Sequence, residues 1–125
     1  MIRQVVSVSA PPPPAGTYSQ AIVAGGEFLF VSGQTPRLAD GTRIRGAFRD
    51  DARQAMENLK IVAEAAGYDL RKHFAKAVIY LSDMSNKTEF DSVFAEYVGE
   101  VPPARSIVQS SFTEFTIEVE GIFAR

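Results

Sequence analysis

A chain of 125 residues with an apolar share of 46% is long enough to bury one core without staples, and a single domain over 1–125 is expected. The absence of cysteine excludes disulfides, thiolate chemistry and cysteine-ligated metals, and the one histidine, His73, is read as a surface residue, so no metal is expected. Thirteen basic and fifteen acidic residues are interspersed to a net charge of −2, which leaves no basic footprint for nucleic acid; no run approaches a membrane span, the first residues lack the regions of a signal peptide, and the expected address is the cytosol.

Residues 3–8 form a predicted first strand, followed by four consecutive prolines at 11–14 whose restricted backbone favours a stiff polyproline II connector. The polar loop G-T-Y-S-Q-A at 16–21 carries one aromatic ring, Tyr18, which is either a lid on the core or the wall of a pocket. Gly25 and Gly26 separate two apolar runs, 22–24 and 27–32, and predict a tight hairpin, because glycine supplies the positive backbone angles such a turn requires. The second run closes on Ser32, with a hydroxyl at the strand end, and on Gly33, which permits close backbone approach. From there to Gly46, Pro36, Asp40-Gly41 and three arginines predict a long loop or irregular hairpin.

Across 48–66, Ala52, Met56, Leu59, Ala63 and Ala66 recur at helical spacing, Asp50 and Asp51 complement the amino-terminal dipole, and Gly67 provides a stop. A strand over 74–81 follows. Asn86, with Glu89 three residues on, predicts the capped start of a second helix that buries Phe90, Val93, Phe94 and Tyr97 and stops at Gly99. The stretch 102–120, P-P-A-R-S-I-V-Q-S-S-F-T-E-F-T-I-E-V-E, reads as a strand carrying Arg105 near its start, a short turn, and a second strand ending in Glu120. A guanidinium presents a rigid fork that holds a small carboxylate at two points, and a strand-borne glutamate can take a proton from water. The same pair on a solvated edge would be an ordinary surface ion pair.

Helices alternating with strands, each helix with one apolar stripe, predict an α+β sheet with both helices on one face. The strands are nevertheless apolar on both sides: Phe28 and Phe30 oppose Leu29 and Val31, and Ala77 and Ile79 oppose Val78 and Tyr80. With no third helix to cover it, the bare face is expected to pack on other copies of the chain. If Ile117, Val119 and Phe123 meet the helices, Glu118 and Glu120 lie on that bare face and need a partner, for which Arg105 is the candidate.

Five motifs in order resemble the RidA family, also called the YjgF family, of reactive-intermediate deaminases: G-T-Y-S-Q-A at 16–21, F-V-S-G-Q at 30–34, R-Q-A-M-E-N-L-K at 53–60, P-A-R-S at 103–106 and I-E-V-E at 117–120. The resemblance implies a chorismate-mutase-like α+β fold, with a mixed sheet of about six strands and two helices on one face. It also implies a homotrimer whose sheets form a central barrel, with clefts between neighbouring subunits. The implied activity is hydrolysis of enamines and imines, such as 2-iminopropanoate and 2-iminobutanoate, to 2-oxo acids and ammonia. Arg105 would clamp the substrate carboxylate and Glu120 would orient or deprotonate the attacking water. Tyr18 and Ser32 would line the cleft, with main-chain groups near Gly33 and Ile107 touching the ligand. Some members of that family are described as ribonucleases that inhibit translation, and a non-catalytic trimer binding 2-oxo acids through Arg105 is a third reading.

The chain departs from the family pattern at Ile107, where many members have cysteine, and at Asp91, where asparagine is common. It also carries S-S-F-T-E-F-T at 110–116 in place of a leucine-proline turn. There Phe112 would narrow the cleft, and Glu114, if turned inward, would repel an anion.

Overall fold

A computed structural model describes the backbone of residues 1–125 and the side chains of all of them except Arg3. The elements follow in the order β1 (Ile2–Val6), β2 (Ala21–Ala24), β3 (Phe28–Gln34), α1 (Phe48–Ala65), β4 (Phe74–Leu81), α2 (Lys87–Tyr97), β5 (Ala104–Gln109) and β6 (Ile117–Ala124). Four strands form a mixed sheet in the order β3-β6-β4-β5, with β6 antiparallel to both neighbours and β4 parallel to β5. β1 and β2 form an antiparallel ribbon, joined to the start of β5 by a bridge between Ser19 and Ala104, which brings the strand number to six. This is the α+β architecture expected from the periodicity.

Alternation along the strands decides which side the helices cover. Ala77, Ile79 and Leu81 of β4 and Ile117, Val119 and Phe123 of β6 are buried, and Ala52, Ala55, Met56, Leu59 and Ala63 of α1 with Phe90, Val93 and Phe94 of α2 close over them. Phe74 stacks on Phe123 at 4.5 Å between ring centroids, and Phe90 meets Phe94 at 5.4 Å. Each such buried ring contributes about 1.5–3 kcal/mol. The opposite face has no covering element and carries Phe30, 71% exposed, Phe28 and Val108, with Val78, Tyr80 and Ile122 half-buried among them. Among the described residues, no helix is long and apolar enough to cross a membrane.

The predicted hairpin at Gly25-Gly26 does not form: β2 pairs with β1, and β3 pairs with β6. A two-residue type I′ turn needs positive φ at both central positions, and only Gly26 has it, at 105°. The chain therefore passes from the ribbon into the sheet instead of folding back. Glu27 and Arg125 exchange backbone hydrogen bonds of 2.9 and 3.1 Å there, and a Cβ at Gly26 would run into the Arg125 carbonyl. Gly26→Ala is expected to destabilise the fold by about 1–3 kcal/mol, read as a fall of several degrees in Tm by circular dichroism. An unchanged Tm would show that this corner relaxes without strain.

The second helix also starts differently from expectation. Asn86 makes no side-chain capping bond, whereas Asp83 accepts from the Ser85 amide at 2.9 Å at the head of a 3₁₀ turn that runs into α2. His73 is half-buried and structural: its Nδ1 accepts from the Asp69 amide at 2.9 Å, and burial lowers its pKa.

Candidate functional site

Arg105 is the second residue of β5, an edge strand, and lies beside Ala77 of β4. That register turns its side chain to the helix-covered face, where it passes between rings. Its Cζ lies 5.2 Å from the Tyr18 centroid, 5.9 Å from Phe90 and 5.0 Å from Phe94. Only 3% of the side chain is exposed. Its Nη1 donates to Asp91 Oδ1 at 2.7 Å and to the Thr17 carbonyl at 3.1 Å. Asp91 in turn accepts from the Thr17 amide and hydroxyl, both at 2.9 Å. Burial alone would raise the Asp91 pKa, but the Thr17 donors and the Arg105 charge outweigh it and hold the carboxyl below its usual range.

Nε and Nη2 of Arg105 donate to no protein acceptor among the described residues. Both are reached by solvent, since the sole fully buried, unpartnered side-chain polar atom in that set is Asp51 Oδ1. Arg105 is itself one wall of a cavity of about 290 Å³, whose other walls include Gly16, Tyr18, Lys87, Thr88 and Asp91. A planar two-donor edge, held in place by a second set of bonds behind it, is what bidentate capture of a carboxylate requires. Tyr18 is thus a pocket wall, its hydroxyl accepting from the Ala15 amide at 3.3 Å.

Glu120 lies on the other face. It sits beside Val78 of β4, and the Tyr80 hydroxyl donates to its Oε1 at 2.6 Å. This bond, ahead of burial and the charges of Glu120 and Glu118, raises the Tyr80 pKa. Ser32, at the end of β3, is exposed. Close approach at Gly33 is made by the chain's own Glu118, whose carboxylate lies where a Cβ would stand. Ile107 faces the core, packed against it, so what it offers at the sheet edge is main chain.

Within one protomer, then, Arg105, Tyr18 and Asp91 come together, while Ser32, Gly33, Glu118 and Glu120 form a second group beyond β4. The expected pairing of Arg105 with Glu120 is not made in the single chain; the partner of Arg105 is Asp91, because β4 separates β5 from β6 and the two registers point the side chains to opposite faces. Neither Phe112 nor Glu114 lines the Arg105 cavity. Glu114 pairs with Arg43 at 3.3 Å, Arg43 also lies over the Phe115 ring, and Phe112 packs on Phe115. Sequence reasoning missed Thr17 and Tyr80 as partners. Thr17 adjoins the Tyr18 already singled out, but nothing local connects Tyr80 to a strand forty residues away.

The match to the family described as Endoribonuclease L-PSP runs over residues 8–124. A RutC family protein of Pyrococcus horikoshii is 41% identical over 124 residues, covering 97% of each chain. Among solved structures, RidA from the Antarctic bacterium Psychrobacter sp. is 33% identical with a TM-score of 0.74, covering 98% of this chain and all of that one. Yeast Mmf1 is 33% identical with a TM-score of 0.74 over 98% of both chains. On these matches, and with the fold they share, the chain belongs to the RidA family, also described as the endoribonuclease L-PSP family.

Proposed function

We propose that the protein hydrolyses small 2-imino acids to 2-oxo acids and ammonia in crevices shared by neighbouring protomers of a homotrimer. The observation that carries this reading is the buried Arg105 fork, whose Nε and Nη2 have no protein acceptor and which helps to wall a small cavity. In the mechanism this edge takes the substrate carboxylate at two points and fixes the adjacent C=N carbon. Glu120 removes a proton from water as the water oxygen bonds to that carbon, and the proton passes to the departing nitrogen. As the C–N bond of the resulting carbinolamine breaks, its hydroxyl proton returns to Glu120, which releases ammonia and leaves the 2-oxo acid. Because Arg105 and Glu120 face opposite sides of one sheet, one protomer supplies Arg105, Tyr18 and the main chain at Ile107, and its neighbour supplies Ser32, Gly33 and Glu120. The uncovered, Phe30-bearing sheet face provides the surface for such an assembly.

The test is release of ammonia from freshly generated 2-iminopropanoate, and no release above the uncatalysed rate would refute the activity. Glu120→Gln alone is expected to lose on the order of 10²–10⁴-fold in kcat. Mixed trimers formed from equal amounts of Arg105→Ala and Glu120→Gln chains should regain about a quarter of wild-type activity, since in a cyclic assembly that fraction of crevices holds both intact residues. Absence of recovery would show that the crevice is not shared in this way.

A further inference from the structure

We propose, on the basis of the imine-hydrolysing site just described, that Asp91 is a specificity-determining residue that makes the Arg105 clamp favour the zwitterionic substrate over the anionic product. An isolated guanidinium would attract any carboxylate. Here the charge is already matched by a carboxylate 2.7 Å away, on the same guanidinium but away from its open edge. The two groups wall the same cavity, so a ligand held on the Nε–Nη2 edge also feels Asp91.

A protonated 2-imino acid carries a positive nitrogen one carbon from its carboxylate and is neutral overall, so its attraction to Asp91 offsets the repulsion of its carboxylate. Hydrolysis replaces that nitrogen with a neutral oxygen and leaves a net anion. A unit charge several ångströms away, in a partly desolvated site, changes affinity by about tenfold. Asp91 therefore loosens the product by about that factor while leaving the substrate nearly unaffected. Asparagine could keep the geometry: its Oδ1 accepts from Arg105 and the Thr17 amide, and its Nδ2 donates to the Thr17 hydroxyl. What the exchange removes is the charge.

The experiment is calorimetric titration of the full-length protein with 2-oxobutanoate and with 2-aminobutanoate, stable ligands of equal length that carry the product's and the substrate's charge patterns. Asp91→Asn should bind the oxo acid about tenfold tighter and change the amino acid by less than roughly threefold, with product inhibition in turnover strengthening by the same factor. Thr17→Val, which removes a hydroxyl donor but keeps the Asp91 charge, should leave the ratio of the two affinities unchanged. Parallel shifts for both ligands in Asp91→Asn, or a weaker oxo acid, would overturn the proposal, with an unchanged melting curve confirming that the variant is folded. Arg105→Ala is titrated alongside. Oxo-acid binding that survives that substitution, or is absent from the wild type, would refute the carboxylate clamp itself, whereas loss in Arg105→Ala without discrimination in Asp91→Asn would refute only the role of Asp91.

Discussion

Arg105→Ala is expected to lower kcat/KM for 2-iminopropanoate by roughly 30-fold to several thousand-fold, the effect of truncating one partner of a desolvated, hydrogen-bonded charge contact. Two consequences of the substitution act together. The ligand loses both donors of the Nε–Nη2 edge, and Asp91 loses the cation that offsets its charge, so a carboxylate entering the cavity meets net repulsion. Arg105→Lys should fare little better: an ammonium can reach Asp91 but cannot also present two coplanar donors to a ligand. The fold should survive both changes, because Asp91 keeps its two Thr17 donors and is a quarter exposed, and β5 retains its ladder to β4. Initial rates of ammonia release, with secondary structure checked by circular dichroism, decide the matter. Unchanged kinetic constants in both variants would remove Arg105 from the reaction.

Phe30→Asp is expected to abolish activity without touching either half of the crevice. The ring is 71% exposed on the uncovered sheet face, so within the folded protomer its replacement costs little beyond a ring contact with the equally uncovered Phe28 at 6.4 Å. In an assembly the same ring would be buried. Removing it and enclosing a carboxylate in its place should weaken each protomer contact by about 2–4 kcal/mol, enough to dissociate the assembly at micromolar concentration. Sedimentation velocity should show trimers for the wild type and monomers for the variant, and the ammonia assay should show loss in step with dissociation. A variant that stays trimeric would take Phe30 out of the interface, and a monomer that stays active would separate catalysis from assembly.

The helices were legible because their apolar positions recur with a single period over many residues, from Ala52 to Ala63 and from Phe90 to Phe94. Strand faces were legible for the same local reason: Ile117, Val119 and Phe123 point to the core as alternation requires. Strand order was not. The insertion of β4 between β5 and β6 is a long-range choice with no local signal, and it converts a supposed Arg105–Glu120 pair into two residues on opposite faces. The Gly25-Gly26 turn misled because glycine permits positive φ without compelling it, and the edges of β2 and β3 found better partners elsewhere. Of the site, the residue types were legible, and their division into two groups within one protomer was not. Asp91 stood out as a departure from the asparagine common in the family, but its capture of Arg105 depends on α2 lying across the start of β5.

The position of β5 at the end of the sheet has a consequence for how the chain behaves before it is complete. A parallel edge strand whose apolar residues include Ile107 and Val108 offers unsatisfied amides to any extended segment that arrives first. Orderly closure of a ring would hide this edge, whereas irregular addition would propagate it into fibrils. For the proposed assembly, yield on refolding would then be a race between a reaction that stops at a small number of copies and one that does not stop. Slow dilution from denaturant, which prolongs the lifetime of the open edge, should favour precipitate.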